Sequence, residues 1–154
     1  MGASYQPRGR YFEEFAAGEQ IVTAGRTVTE GDIVRFAGLS GDFNQIHTDA
    51  AYAAEMMFGE RIAHGLLVLS IASGLAVQTG IIEGTVLAFR ELAWKFSRPV
   101  MIGDTVHAEI EVTETKALAR LGGGNVRMKV SVLNQRGEVV HRGHWDMLVQ
   151  SRPG

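Results

Sequence analysis

The feature that most constrains the fold is one apolar stretch, AHGLLVLSIASGLAV, at residues 63–77. It predicts a helix over about 63–78 that is apolar nearly all round, and a globular protein encloses such a helix on several sides. The stretch is shorter than the ~20 residues that a membrane span needs, and the N-terminus lacks the apolar core of a signal peptide. We therefore predict a buried helix in a cytoplasmic protein with no membrane partner.

The second half of the chain predicts a sheet that would cover this helix. Apolar and polar side chains alternate over residues 104–112 and 125–133, and less regularly over 139–149, which is typical of strands with one dry and one wet face. With a further strand at 19–28, the predicted order is β-α-α-α-β-β-β-β. This order indicates an α+β fold in which one long antiparallel sheet curls around the apolar helix.

The strand predicted at 85–97 differs from the others because it carries large apolar residues in both registers. Such a strand is covered on both faces, or it pairs with another chain. The sequence alone leaves both interpretations open.

Composition narrows the partners and the chemistry. The chain contains no repeat or linker and predicts a single domain over residues 1–154. The net charge of −2 arises from 15 basic and 17 acidic residues spread along the chain, so nucleic acid is not an expected partner. Because cysteine is absent, disulfides and thiolate catalysis are excluded. The motifs of nucleotide hydrolysis and of serine hydrolases are absent as well.

A loop predicted at residues 40–48, SGDFNQIHT, holds the first candidate site residues. A short helix would precede it, beginning at a capping box on Thr29 and ending at Gly41. Asp49 would cap the helix that follows, AAYAAEMM. The loop is therefore expected to lie between two helices.

Asp42 and His47 stand five residues apart in this loop. Five residues of an α-helix turn by about 140°, so the two side chains can meet only if the segment is bent and non-helical. The spacing alone is weak evidence for an acid–base pair, since such pairs arise often by chance. His64 is interpreted as a packed structural residue, and His141 and His144 are expected on opposite faces of a strand, which argues against a metal site.

The start of the apolar helix offers groups that would support such a pair. Gly65 lies in the first turn, where unpaired N–H groups and the positive end of the helix dipole suit a developing negative oxygen. The hydroxyl of Ser73 would bond either a carbonyl of its own helix or the Asp42 carboxylate. Together these groups fit the addition or removal of water across a double bond conjugated to a thioester, without a metal or a cofactor.

Three segments, GDFNQIHTDAAYA, FGERIAHGLLVLSIASGL and WKFSRPVMIGDTV, closely resemble the MaoC-like dehydratases, the family that contains the (R)-specific enoyl-CoA hydratases. The resemblance runs from about residue 9 to 149. It implies the hot-dog fold, homodimers whose sheets join edge to edge, and reversible syn hydration of a trans-2-enoyl-CoA to a (3R)-hydroxyacyl-CoA.

The resemblance also implies a role for each site residue. Asp42 and His47 would be the catalytic dyad that holds the attacking water, with Asn44 shaping their loop. Gly65 would offer its N–H to the thioester oxygen, and Ser73 would orient Asp42. Two alternatives remain open. One is a hot-dog acyl-CoA thioesterase, and the other is a non-catalytic acyl-CoA binder or a subunit of a larger complex.

Overall fold

The computed structural model describes residue 2 and residues 4–154, and these residues form six strands, four α-helices and two 3-10 turns. The strands are Gln20–Val22 (β1), Arg26–Thr27 (β2), Val86–Phe96 (β3), Thr105–Leu118 (β4), Gly123–Leu133 (β5) and Val139–Gln150 (β6). The α-helices are Glu30–Ser40 (α1), Gln45–Thr48 (α2), Ala50–Ala54 (α3) and Gly65–Gln78 (α4). The 3-10 turns lie at Phe12–Glu14 and Ala119–Leu121.

The strands form an antiparallel sheet in the order β1-β4-β5-β6-β3, and β2 also pairs with β4. Alternate residues of β4 and β5 are buried in one core with α4: Val106, Ala108, Ile110, Val112, Val126, Met128, Val130 and Val132. The helix contributes Leu67, Val68, Ile71, Ala72, Leu75 and Ala76 to this core. Burial of a Val, Leu or Ile side chain stabilises a fold by roughly 1.5–3 kcal/mol. The predicted α+β hot-dog class is confirmed.

Helix α1 begins and ends where the sequence predicts. The Asp32 N–H donates to Thr29 Oγ1 over 3.2 Å, and the Thr29 N–H donates to Asp32 Oδ2 over 2.9 Å, which completes the capping box. The helix ends at Gly41 with a φ of 79°, a left-handed conformation that glycine adopts without steric cost. The chain therefore enters the candidate loop from a fixed point.

Two local predictions are wrong. The strand expected at 19–28 is interrupted between β1 and β2, because the side-chain hydroxyl of Thr23 accepts the N–H of Ala108 over 2.9 Å where a backbone carbonyl would continue the ladder. The helix expected to continue to Met57 stops at Ala54. Backbone bonds there tighten to the i→i−3 pattern, as in Met56 N–H to the carbonyl of Ala53, so the last turn does not propagate.

Helix α4 and strand β3 are more exposed than the sequence suggests. Helix α4 leaves Leu66 and Val77 at 59% and 43% exposure, so one side of this apolar helix is open in the single chain. Within residue 2 and residues 4–154, strand β3 is an edge strand that pairs only with β6. Its exposed apolar residues are Leu87, Phe89, Leu92 and Phe96. The interpretation that this strand is covered on both faces within one chain is therefore wrong. Its pairing with another chain stays a prediction. In the described part of the chain, no helix has the length and apolar composition of a membrane span.

Candidate active site

The Asp42 carboxyl group is held by its own loop. Its backbone N–H donates to Ser40 Oγ over 3.1 Å, and its Oδ1 accepts the backbone N–H of Asn44 over 3.1 Å. This second bond is an Asx-turn, which reverses the chain without needing a helix. The side chain of Asp42 is exposed in the single chain, so the carboxyl group reaches solvent while the hydrogen bonds within the loop hold its position.

His47 lies on helix α2, a single helical turn inside the segment predicted to be non-helical. The prediction of a fully non-helical loop over 40–48 is wrong. The reason is Asn44, whose side-chain oxygen accepts the Ile46 N–H over 3.5 Å and caps the new turn. The expected bend still occurs, because residues 41–44 stay outside any helix and break the chain direction between Asp42 and His47.

The hydrogen bond of the His47 ring fixes which nitrogen can act as a base. Nδ1 lies 2.7 Å from the carbonyl oxygen of Ile62, and a carbonyl can only accept, so Nδ1 carries the proton. In the neutral ring Nε2 then keeps its lone pair. Burial lowers the pKa of His47, and neighbouring His64 lowers it further, whereas the Ile62 carbonyl and Asp42 act in the opposite direction. The ring is therefore neutral at pH 7 and presents a basic Nε2.

The loop brings Asp42 and His47 together. A carboxylate oxygen of Asp42 and a ring nitrogen of His47 lie within 4.8 Å of each other. Two hydrogen bonds of about 2.8 Å that meet at one water oxygen span about this distance. The geometry suits a single water molecule shared by the two side chains, rather than a direct hydrogen bond between them.

His64 contacts both members of this pair. Its ring stacks on that of His47 with 3.9 Å between centroids and 27° between planes, and its Nε2 donates to the backbone carbonyl of Asp42 over 2.9 Å. Only 2% of the residue is exposed, as the sequence interpretation of a packed structural histidine predicts. The sequence did not predict that His64 touches both members of the candidate dyad.

The same cluster has the composition of a metal site but not its geometry. Asp42, His47 and His64 offer ligand atoms within 4.8 Å of one another. A metal ion lies in the plane of each imidazole that binds it, and two stacked rings cannot direct their in-plane lone pairs at one ion. One nitrogen of each ring is also bonded to a backbone carbonyl. These residues do not fit a metal ion, and the absence of a metal from the chemistry stays a prediction.

Gly65 is the first residue of α4, as the predicted oxyanion site requires. Among the described residues no side chain caps this helix start, and the first backbone bond into the helix is Val68 N–H to the carbonyl of His64. The N–H groups before Val68 are therefore available at the positive end of the 14-residue helix. A Cβ on Gly65 would lie 2.5 Å from the Phe96 ring, so any larger residue here would displace that ring from its position.

Ser73 is not directed at Asp42 in this structure. Its hydroxyl donates to the carbonyl of Ser70 over 2.8 Å, so it bonds within its own helix, the first of the two predicted alternatives. The acceptor is the carbonyl at i−3 and not the expected one at i−4. The orienting role implied for Ser73 stays a prediction. Asn44 acts locally, through the cap of α2.

A cavity of about 500 Å³ opens beside these groups. His47 and Gly65 line it, and most of the remaining wall is apolar: Met57, Phe58, Ile62, Ala63, Leu66, Phe96, Pro99 and Val100. The polar part of the rest of the wall is Ser97, Arg98 and His141. The arrangement places a base and free helix amides at the wall of an apolar cavity, with a carboxyl group next to the base, which is suited to proton transfer next to a carbonyl.

His141 is the site residue that sequence reasoning missed. It lies on β6 in register with Phe96 and Val132, and it is 3% exposed. His144 is exposed, as expected for a residue on the opposite face. A signal was present in the sequence, because VVH at 139–141 interrupts the alternation of its strand.

A family model described as MaoC like domain matches residues 13–134. The chain belongs to the MaoC-like dehydratase family. The matched span contains Asp42, Asn44, His47, Gly65 and Ser73 of the MaoC-like domain, whereas His141 lies beyond it.

Individual relatives of this MaoC-like domain agree with that result. An (R)-specific enoyl-CoA hydratase of Rhodospirillum rubrum is 41% identical over 103 residues, which cover 67% of this chain and 69% of the relative. Protein MaoC of Klebsiella aerogenes is 41% identical over 104 residues, or 68% of this chain, but the chain spans only 31% of its length. The structure of the R-hydratase PhaJ1 from Pseudomonas aeruginosa in the unliganded form superposes with a TM-score of 0.78 at 34% identity, covering 92% of this chain and 86% of that chain.

Proposed function

We propose that this protein is a hydratase/dehydratase that reversibly adds water to the double bond of a trans-2-enoyl-CoA to give a (3R)-hydroxyacyl-CoA. The observation that carries the proposal is the pairing of Asp42 with His47 within 4.8 Å, where His47 lies on the wall of the apolar cavity. The relatives named as (R)-specific hydratases support both the reaction and its handedness.

In the hydration direction, one water molecule sits between the two side chains. Asp42 accepts a hydrogen bond from this water and orients it, while Nε2 of His47 takes a proton as the water oxygen bonds to C3 of the enoyl group. The electron pair of the double bond moves toward the thioester carbonyl, whose oxygen becomes negative. The His47 imidazolium then returns the proton to C2, which completes the addition without a cofactor.

The developing negative oxygen is stabilised at the start of α4. The Gly65 N–H donates to it, and the positive end of the helix dipole adds a favourable field. Because one ring delivers the proton to C2 and positions the water for C3, both atoms are added to the same face of the double bond. Syn addition therefore follows from the use of a single base.

We also propose that the protein is a homodimer joined through β3. This edge strand presents unpaired backbone groups together with Leu87, Phe89 and Leu92, each 43–50% exposed. An edge of this kind is a template for pairing with a second copy. Phe96 belongs to the same strand and lines the cavity, so the partner would lie next to the site.

The test is hydration of crotonyl-CoA by the wild type, by Asp42→Asn and by His47→Gln. Each substitution is expected to lower kcat/KM by at least ~100-fold, the low end of what a positioned acid or base contributes. Circular dichroism and thermal unfolding confirm that the variants fold. Release of free thiol in place of hydration would favour the thioesterase alternative, and full activity in either variant would defeat the assignment of the dyad.

A further inference from the structure

The cavity wall carries one buried polar residue that the proposed reaction does not use. His141 lies on β6, is 3% exposed, and lines the same cavity as His47 and Gly65. It stands next to Phe96, whose ring meets the His141 ring edge-on with centroids 5.0 Å apart. Phe96 also covers Gly65, so His141 lies one aromatic ring away from the start of α4.

The tautomer of His141 follows from its partner. Nδ1 lies 3.3 Å from Nε1 of Trp94, and an indole N–H can only donate, so Nδ1 is the acceptor. Burial lowers the pKa of His141 to about 4, so the ring is neutral at pH 7. The proton of the neutral ring is therefore on Nε2. His141 is held as a hydrogen-bond donor by Trp94.

This donor has no acceptor among residues 4–154, in which the side chain of His141 is bonded only at Nδ1. Its neighbours around the ring are the aromatic side chains of Trp94 and Phe96. The Nε2 atom keeps some accessible surface in the unliganded chain, and an alkyl chain that shields it from water would leave it without an acceptor, which costs free energy. Since His141 lines the cavity, a molecule in the cavity is the group that can supply the missing acceptor.

The position of His141 indicates which part of a thioester it would meet. The guanidinium side chain of Arg98 is 59% exposed, and Met57 is 87% exposed, so these residues mark the open side of the cavity. His141 and Val100 are 3% and 1% exposed and mark the closed side. The charged nucleotide of coenzyme A stays in water, because burial of unpaired charge is costly. The acyl chain therefore points toward the closed side.

We propose that the cavity takes acyl thioesters whose acyl group carries a neutral oxygen, as a hydroxyl, ether or keto group, that accepts a hydrogen bond from His141 Nε2. This inference rests on the proposed hydratase function and specifies the substrate class of that site. A neutral oxygen fits better than a carboxylate, because the neutral ring supplies no positive charge to compensate a buried anion. A purely alkyl chain leaves the donor unpaired.

The experiment measures the ratio of kcat/KM between matched substrates. The probes are alkyl trans-2-enoyl-CoAs of increasing length and ω-methoxy enoyl-CoAs of the same lengths, in which one chain methylene is replaced by oxygen. The wild type is expected to prefer one ether over its alkyl counterpart by roughly tenfold, since a site built to hydrogen-bond a substrate group discriminates against analogues that lack it. An ω-carboxy enoyl-CoA forms a third arm and is expected to react more slowly than the ether.

Two variants assign the preference to the ring. His141→Leu is expected to abolish the ether preference, and His141→Gln, whose amide N–H reaches the same position, is expected to retain part of it. Because the measured quantity is the ratio of kcat/KM for the ether to kcat/KM for the alkyl substrate, a general loss of activity in a variant cancels. Trp94→Phe is the matched control, because it removes the bond at Nδ1 but keeps the histidine, and the preference is expected to weaken without disappearing.

The outcomes separate this inference from the function on which it rests. Wild-type hydration of crotonyl-CoA with equal rates on ethers and alkyl chains would overturn the substrate class and leave the hydratase assignment intact. Equal ratios in wild type and His141→Leu would overturn the role of His141, as would a preference for the carboxylate. A wild type that hydrates none of the enoyl-CoAs would defeat both proposals. The wild-type ratio alone decides the question if His141→Leu fails to fold.

Discussion

The imidazole rings of His47 and His64 stack with their centroids 3.9 Å apart and their planes inclined by 27°. Each ring is anchored to a different carbonyl, His47 to that of Ile62 and His64 to that of Asp42. The stack therefore links the base to the backbone of the carboxyl residue. Burial lowers the pKa of His47, and the adjacent His64 ring lowers it further.

Replacement of His64 tests this coupling. His64→Phe keeps an aromatic ring in the stack but removes both ring nitrogens and the bond to the Asp42 carbonyl. We expect the pKa of His47 to rise, so that the acid limb of the kcat/KM profile moves to higher pH. We also expect kcat to fall roughly tenfold, since one buried hydrogen bond that positions Asp42 is lost. A purely structural role for His64 would leave the acid limb where it is in the wild type.

The pH dependence of wild-type activity follows from the lowered pKa of His47. His47 works as a base only when neutral, and its pKa lies below the ordinary value of 6.5. As the pH is lowered, activity should therefore persist below pH 6.5 and fall only when the pH reaches the lowered pKa of His47. Asp42 raises the pKa of His47, so Asp42→Asn should move it lower still, opposite to His64→Phe. NMR titration of the His47 ring measures both shifts without relying on turnover, and equal titrations in all three proteins would contradict the prediction.

The regular parts of this fold could be predicted because each depends on local or periodic signals. The capping box of Thr29, the glycine stop at Gly41 and the cap at Asp49 use side chains that act within three or four residues. Buried and more exposed residues alternate from Thr105 to Val112 in β4 and from Gly124 to Leu133 in β5. The interrupted N-terminal strand could not be predicted, because the hydroxyl of Thr23 reaches a residue 85 positions away.

The candidate site was predictable to the same extent. Asp42, His47 and Gly65 stand in motifs, and the structure brings His47 and Gly65 to one cavity wall with Asp42 next to His47. His64 and His141 gain their positions only through tertiary contacts, with His47 in the first case and Trp94 in the second. Periodicity indicates that a residue faces inward, but it does not indicate which ring it will touch.

Two glycines of the same helix give a matched test of the oxyanion site. A Cβ at Gly65 would lie 2.5 Å from the Phe96 ring, whereas a Cβ at Gly74 would meet no atom of the described residues within 4 Å. We expect Gly65→Ala to destabilise the protein and to lower kcat/KM. Gly74→Ala should stabilise it by about 0.5–1 kcal/mol, through helix propensity alone. Urea unfolding measures the stability of both variants, and hydration of crotonyl-CoA measures their kcat/KM.

The double variant Gly65→Ala with Phe96→Leu isolates the steric cause. If Phe96 is what the new methyl group meets, the two substitutions should be non-additive, and the double variant should recover part of the stability lost in Gly65→Ala. Additive losses would place the cost of Gly65→Ala elsewhere.

His141 makes a prediction about stability in acid. Burial lowers its pKa from 6.5 to about 4 in the folded protein, while in the unfolded chain the ring keeps its ordinary pKa. Between these two values the unfolded state binds more protons, so the free energy of unfolding falls as the pH is lowered from about 6.5 toward 4. The contribution lost is at most about 3 kcal/mol. Urea unfolding at neutral pH and near pH 4.5 should show a smaller loss for His141→Phe than for the wild type, and equal losses would contradict the assignment.

The edge strand β3 predicts the oligomeric state. Leu92 is 43% exposed on this edge, and Leu121, 50% exposed in the turn after β4, is equally apolar but lies away from the edge. Lysine on an edge strand opposes pairing with another copy, so Leu92→Lys should convert a dimer into monomers in sedimentation equilibrium, whereas Leu121→Lys should not. Because Phe96 of the same strand lines the cavity, the monomeric variant should also lose hydratase activity. Wild-type and Leu92→Lys proteins that both sediment at the mass of one chain would exclude β3 as the interface.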